Sequence, residues 1–257
     1  MLDYLKVNRE GWDRRTRVHV ASKFYDVEGF LEGDCPLREI ELAEMPDVAG
    51  KSLLHLQCHF GLDTLSWARK GAGVTGVDLS PEAIRQANEI KAKAKLDGRF
   101  ICSDVYTFGE NNTEQYDIVF TSYGALCWLP CVKRWAETIA GSLKDGGTFY
   151  MVEFHPAFDL AEGYTYFHLA QPDAEEEGTY TENCKGEKSL LMTWGHSLGD
   201  VINALIHVGI QINHVNEFAF SPYDCFEGLE EKEPGRFYTK GKYPVPMVYS
   251  ILGTKRG

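Results

Sequence analysis

Long apolar runs are missing from this chain. No stretch of its 257 residues approaches the ~20 consecutive apolar positions of a membrane helix, and the opening MLDYLKVNREGWDRRTRVHV has no apolar core of signal-peptide length. No membrane association and a cytoplasmic location are the expectations. Basic charge is also scarce. Asp and Glu number 38 against 26 Lys and Arg, a net charge of -12 with no basic cluster to offset it, so phosphate backbones are repelled and nucleic acid is excluded as a partner. The seven cysteines form no C-x-x-C pair and no Cys/His spacing of a zinc site. Free thiols and no metal are expected. A G-x-x-x-x-G-K-[ST] phosphate loop does not occur.

What is present reads as one ordinary globular α/β domain, 44% hydrophobic and 25% charged. Residues 1–50 read as helices and loops forming a lid, with Trp12, Phe24, Tyr25 and Phe30 as apolar anchors. From Lys51 short apolar runs alternate with amphipathic helices, the pattern of parallel βαβ units. SLLHLQC, GVTGVDL, RFICSD, YDIVFTSY and TFYMVEF read as five strands. Gly71 stops the helix DTLSWARK, Ser80-Pro81-Glu82 starts the next one, and VKRWAETIAGSL runs into a tight turn at Lys144–Gly147. Residues 155–195 lose periodicity and read as an insertion over the active site; its acidic run Glu175-Glu176-Glu177 reads as a solvated loop, or as a pocket rim for a cation. Residues 196–257 supply a helix capped by Ser197 and Asp200 and two closing strands, IQINHVNEF and MVYSILGTK.

Ligands of open parallel sheets bind beyond the carboxyl ends of the strands, and four strand ends carry suitable groups. Gln57-Cys58-His59-Phe60-Gly61 reverses the chain from strand into helix, and Gly61 permits close backbone approach. Asp78 lies 17 positions after Gly61, placed to accept from two ribose hydroxyls; helix capping together with Ser80 is its structural alternative. Ser103-Asp104-Val105 can read an adenine edge or be a surface turn. Thr121-Ser122-Tyr123-Gly124 can floor the pocket under the reacting group.

LLHLQCHFG (53–61), VTGVDLS (74–80), CSDV (102–105), YDIVFTSYGALCWLP (116–130) and LKDGGTFYMVEF (143–154) together resemble the class I S-adenosylmethionine-dependent methyltransferases, in their small-molecule branch. The resemblance covers about 60% of the chain. It implies a Rossmann-like, doubly wound sheet of about seven strands, mostly parallel with an antiparallel last strand, and S-adenosyl-L-methionine as cofactor. It also implies methyl transfer to an O, N or S atom of a small acceptor. The family turn D-x-G-x-G-x-G is altered, since its four characteristic places hold His55, Gln57, His59 and Gly61. A non-catalytic cofactor-binding module therefore stays as the alternative. A nicotinamide oxidoreductase is disfavoured, because a dinucleotide needs the glycine-rich approach to its phosphates.

On this reading the cofactor-binding set is His19, Tyr25, Gln57, Cys58, Gly61, Asp78, Leu79, Asp104, Val105 and Thr121. Gln57 is placed to meet the amino-acid end of the cofactor. Tyr123, Trp128 and His196 would line the acceptor pocket, with Tyr25 and Trp128 as lid aromatics facing a sulfonium. His155, just after the fifth strand, His196 at the mouth of a helix and His19 are the candidate bases, each with a structural role as its alternative; His155 leads, with Glu153 as its partner or substitute.

Overall fold

The computed structural model describes residues 3–257. Three helices come first: α1 (Tyr4–His19), α2 (Val27–Glu32) and α3 (Glu39–Glu44). The alternating segment follows as β1 (Ser52–Leu56), α4 (Leu62–Arg69), β2 (Gly73–Asp78), α5 (Pro81–Ala94), β3 (Arg99–Cys102), α6 (Val105–Asn111), β4 (Tyr116–Thr121), α7 (Val132–Ser142) and β5 (Leu143–Phe154). After it come α8 (Pro156–Ala161), the hairpin β6 (Asp173–Glu177) and β7 (Ser189–Thr193), α9 (Leu198–His207) and β8 (Ile210–Phe218). A second small hairpin, β9 (Glu230–Glu233) and β10 (Arg236–Tyr238), precedes β11 (Val248–Lys255).

The main sheet has seven strands in the order β3-β2-β1-β4-β5-β11-β8. β1 pairs parallel with β2 and β4, while β11 runs antiparallel to both β5 and β8 and lies between them. This is the mostly parallel, Rossmann-like sheet with a reversed last strand that the resemblance implied.

Burial explains why the sheet is sandwiched. In β1, Leu53, Leu54, His55 and Leu56 are all buried, as a central parallel strand with both faces covered requires. One face packs Leu54, Val119, Phe149 and Met151 beneath α6, α7 and α9, with Trp135 at its centre. The other packs Leu53, Ile118, Phe120 and Tyr150 beneath α3 and α4 through Ile40 and Trp67. Local chemistry fixes the helix ends. Ser80 Oγ accepts from Ala83 N–H at 3.0 Å with Pro81 at the first helical position, and Ser197 and Asp200 form a reciprocal capping box on α9.

Three segments differ from the sequence reading. The acidic run 175–177 is not a loop: it belongs to β6, held by antiparallel pairing with β7 and by Arg15 of α1, whose guanidinium lies 3.3 Å from Glu177. The turn expected at Lys144–Gly147 is taken into β5, with Gly146 at φ +75°. The β9–β10 hairpin has no counterpart in the sequence pattern, because EEKE carries charge rather than alternation. Among the described residues, no helix is long and apolar enough to cross a membrane.

Candidate functional site

A cavity of about 740 Å³ opens at the carboxyl ends of the parallel strands, and α1, β7 and the segment around Tyr180 contribute to its walls. Its floor is the turn between β1 and α4. Gln57, His59 and Gly61 all have left-handed backbone, with φ of +58°, +51° and +78°. Two of these are not glycine, so the conformation is strained at positions where the chain has side chains to accommodate. The turn is tied down on several sides. Cys58 N–H donates to Val77 O at 2.9 Å, and Gly61 N–H to Cys58 O at 2.9 Å. His59 N–H donates to Asp78 Oδ2 at 2.8 Å, and Gln57 Nε2 to Ala125 O at 2.7 Å. Space is short as well: a Cβ on Gly61 would sit 2.5 Å from the Phe100 ring, and one on Gly76 would sit 2.8 Å from both Cys58 Sγ and that ring.

Asp78 closes β2 beside this turn. Its Oδ1 accepts from Ser80 N–H at 2.9 Å, so the carboxylate receives one backbone bond on each oxygen. An ionised carboxylate has about four acceptor positions. Two therefore remain, the number a vicinal diol needs. Burial pushes the carboxyl up to about 6, opposed by the N–H bonds of Ser80 and His59. Asp104 caps α6 through one oxygen, Oδ1, which accepts from Tyr106 and Thr107 N–H. Asp78 and Asp104 thus accept from backbone N–H groups at helix starts and also line the cavity.

Tyr25, Gln57, Cys58, Gly61, Asp78, Leu79, Asp104, Val105, Tyr123, Trp128 and His196 all line the cavity. His19, Thr121 and His155 do not. His19 is fully buried behind the wall, where its ring stacks on Tyr25 at 5.0 Å and meets His59 edge-on; burial, then the Arg15 charge, holds it down at about 3. Thr121 is fully buried within β4. His155 caps α8, its Nδ1 accepting from Ala157 N–H at 3.0 Å while Nε2 meets Glu217 at 2.9 Å. Both ring nitrogens serve the fold, so the structure does not bring this histidine to the cavity as a base. Glu153 does line it, but its oxygens take the backbone N–H groups of Gly124, Ala125, Leu126 and Phe154. Its work is to hold the loop after β4.

Arg15, Arg38, Asp63, Asp159 and Tyr223 also line the cavity without any signal in the sequence pattern, whereas Glu177 of the acidic run lines it as the pocket-rim alternative allowed. Arg38 lies over the Tyr223 ring and Arg15 meets Glu177. Asp159 is pushed up to about 7 by burial and then by the neighbouring Glu153 charge. In total nine carboxylates and two guanidiniums line the cavity, together with Trp12, Tyr25, Trp128 and Tyr180. Trp128 is fixed by its indole N–H, which donates to Gly124 O at 2.7 Å, and meets Trp12 edge-on at 5.2 Å. Such walls suit a cationic or neutral guest with hydroxyl and amino donors, and resist phosphates.

Residues 54–149 match the family described as a methyltransferase domain. The ubiquinone biosynthesis O-methyltransferase of Salmonella arizonae is 28% identical over 138 residues, which take in 51% of this chain; the chain spans only 55% of the length of that relative. Among solved structures, an S-adenosylmethionine-dependent methyltransferase from Mesorhizobium loti superposes with a TM-score of 0.58 at 20% identity, over 88% of this chain and all of that one. Another from Clostridium acetobutylicum gives 0.60 at 15% identity over 96% of each chain. Residues 54–149 thus match a methyltransferase domain, and the sheet with its reversed last strand is the fold these solved structures share.

Proposed function

We propose that this protein moves the methyl group of S-adenosyl-L-methionine onto an oxygen, nitrogen or sulfur atom of a small molecule by in-line displacement. The observation that carries the reading is Asp78, a buried carboxylate with two acceptor positions left, beside a strained turn in a cavity rich in carboxylates and aromatic rings. Bound S-adenosylmethionine supplies a methyl carbon already activated by positively charged sulfur.

The chain's part is to bind, align and exclude water. Asp78 would hold the ribose hydroxyls, with Leu79, Asp104 and Val105 around the adenine. Backbone at Gln57, Cys58 and Gly61 would follow the chain towards sulfur, with Tyr25 beside it. Trp12 and Trp128, whose rings the Arg15 guanidinium approaches at 5.5 Å, would wall the reacting end and keep water out. Tyr123, Trp128 and His196 would bound the acceptor. Asp159, held near neutrality, replaces His155 as the group suited to take a proton when the nucleophile arrives protonated. The name of the Salmonella relative supports an oxygen acceptor. Acceptor walls contributed by α1 and β7 lie outside the matched residues 54–149, however, so the molecule methylated differs where those walls differ. The test is incubation with methyl-labelled S-adenosylmethionine and a fractionated metabolite extract. Label should appear in a small organic product; cofactor bound but never consumed across oxygen, nitrogen and sulfur acceptors would refute turnover.

A further inference from the structure

One carboxylate in the cavity has nothing to hold. Asp159 lies on α8, just past the end of β5, and its partly buried side chain lines the cavity. Among the described residues it enters no ion pair, and no hydrogen bond offsets the burial and the Glu153 and Glu162 charges that act on it. An unpaired charge held among like charges is costly, so the fold alone gives no reason to keep an acid here. Asp159 also stands apart from the proposed ribose site. β2, which ends in Asp78, and β5 are three strand spacings apart in the sheet, about 14 Å.

The surroundings extend this character. Burial, and then carboxylates that include Asp159, push up the Cys127 thiol and the Tyr164 and Tyr249 hydroxyls, all of which line the cavity. Glu153, Asp159 and Glu177 therefore share one chamber with these groups. The guanidinium on this side is that of Arg15. It already donates to Gly178 O at 2.8 Å and meets Glu177 at 3.3 Å, and its Nε is shut away from solvent. An anionic acceptor would face several carboxylates and find its counter-charge engaged. A cation finds the reverse, a free carboxylate with aromatic rings beside it. Apart from Cys127, these residues lie outside the matched span 54–149, so what they bind is not read from the methyltransferase domain itself.

We infer that the methyl acceptor is a cationic amine, received as an ammonium at Asp159 and methylated on that nitrogen. The inference rests on the proposed function and narrows its acceptor to one chemical class. The ammonium donates a hydrogen bond to an Asp159 oxygen and passes it one proton. The freed lone pair forms the N–C bond to the methyl carbon as the C–S bond breaks, and the electron pair of that bond stays on sulfur. Positive charge thus passes from sulfur to the methylated nitrogen, and a neutral thioether remains. Asp159 returns its proton to water once the product leaves.

The test sorts a metabolite extract on a cation exchanger at neutral pH and offers each fraction, with methyl-labelled S-adenosylmethionine, to wild type and Asp159→Asn. With wild type, at least ten times more label should enter small products from the retained fraction than from the flow-through, and fragment mass spectrometry should place it on nitrogen. Asp159→Asn should lower kcat/KM for the acceptor purified from that fraction at least tenfold. Its S-adenosylhomocysteine affinity should stay within twofold of wild type, which also reports an intact fold. Label drawn mainly from the flow-through, label on oxygen or sulfur, or an unchanged kcat/KM in Asp159→Asn would overturn the amine assignment. The first two outcomes need only the wild-type protein, so they stand even where the variant misfolds. No label from either fraction would instead overturn the turnover reading on which the inference rests.

Discussion

Removing one ribose hydroxyl from the ligand tests the role of Asp78 without disturbing the protein. The carboxylate already accepts from His59 and Ser80 N–H, one on each oxygen, leaving a single position per oxygen for the two hydroxyls. Each hydrogen bond to a charged group contributes about 1.5–3 kcal/mol, so a 2′-deoxy analogue of S-adenosylhomocysteine should bind roughly 10- to 100-fold more weakly. Altering the protein instead mixes two effects. Asp78→Ala would also strip both backbone donors of their acceptor, at about 1–3 kcal/mol each, and loosen the turn that carries φ of +58° and +51° at Gln57 and His59. A lowered melting temperature is expected alongside lost affinity. Competition calorimetry reads the ligand comparison directly, and a deoxy analogue within twofold of its parent would refute the ribose assignment.

Three further outcomes follow from the same geometry. Gly61→Ala forces a side chain onto φ +78° with its Cβ 2.5 Å from the Phe100 ring, so strain and overpacking together should cost at least about 2 kcal/mol in chemical denaturation; an unchanged midpoint would contradict the turn. His155→Ala removes the cap of α8 and should cost about 0.5–2 kcal/mol of stability while cofactor affinity and turnover stay near wild type; a hundredfold fall in kcat would restore it as a base. For Asp159, folding raises the carboxyl from its ordinary 3.8 to about 7, so the folded protein keeps a proton the unfolded chain has lost. Its contribution therefore becomes unfavourable as pH rises from about 4 to 7 and is fully so above 7. Melting curves of Asp159→Asn should gain on wild type across that window and level off beyond it. A gap that does not move with pH would remove Asp159 as a buried carboxyl.

The alternating β/α half, β1 to β5, was legible because its signals are local. Buried strands such as SLLHL have no polar face, and Ser80-Pro81 and Gly71 punctuate helices by backbone chemistry that any sequence displays. Asp78 and Gly61 were legible as cavity-lining positions for the same reason: strand ends and tight turns mark themselves. The β6–β7 hairpin was not legible, since DAEEE acquires its strand from β7 and its cover from α1, both remote in sequence. Asp63 and Arg38 take their character from burial beside each other, and Asp159 from burial beside Glu153, which no spacing records. Proximity along the chain does not carry His155 into the cavity lining. The residue follows Phe154, which lines the cavity, but its own ring turns to Tyr249 and Glu217 on the neighbouring strands. Gln57 and His59 show the reverse case, where side chains replace glycine and the left-handed backbone persists.

The most direct test of the account is a crystal of the protein soaked with S-adenosylhomocysteine. Ribose hydroxyls within hydrogen-bond distance of Asp78, and adenine against Asp104 and Val105, are the expected result. Density for the ligand elsewhere, or none in this cavity at a concentration that saturates related methyltransferases, would contradict it.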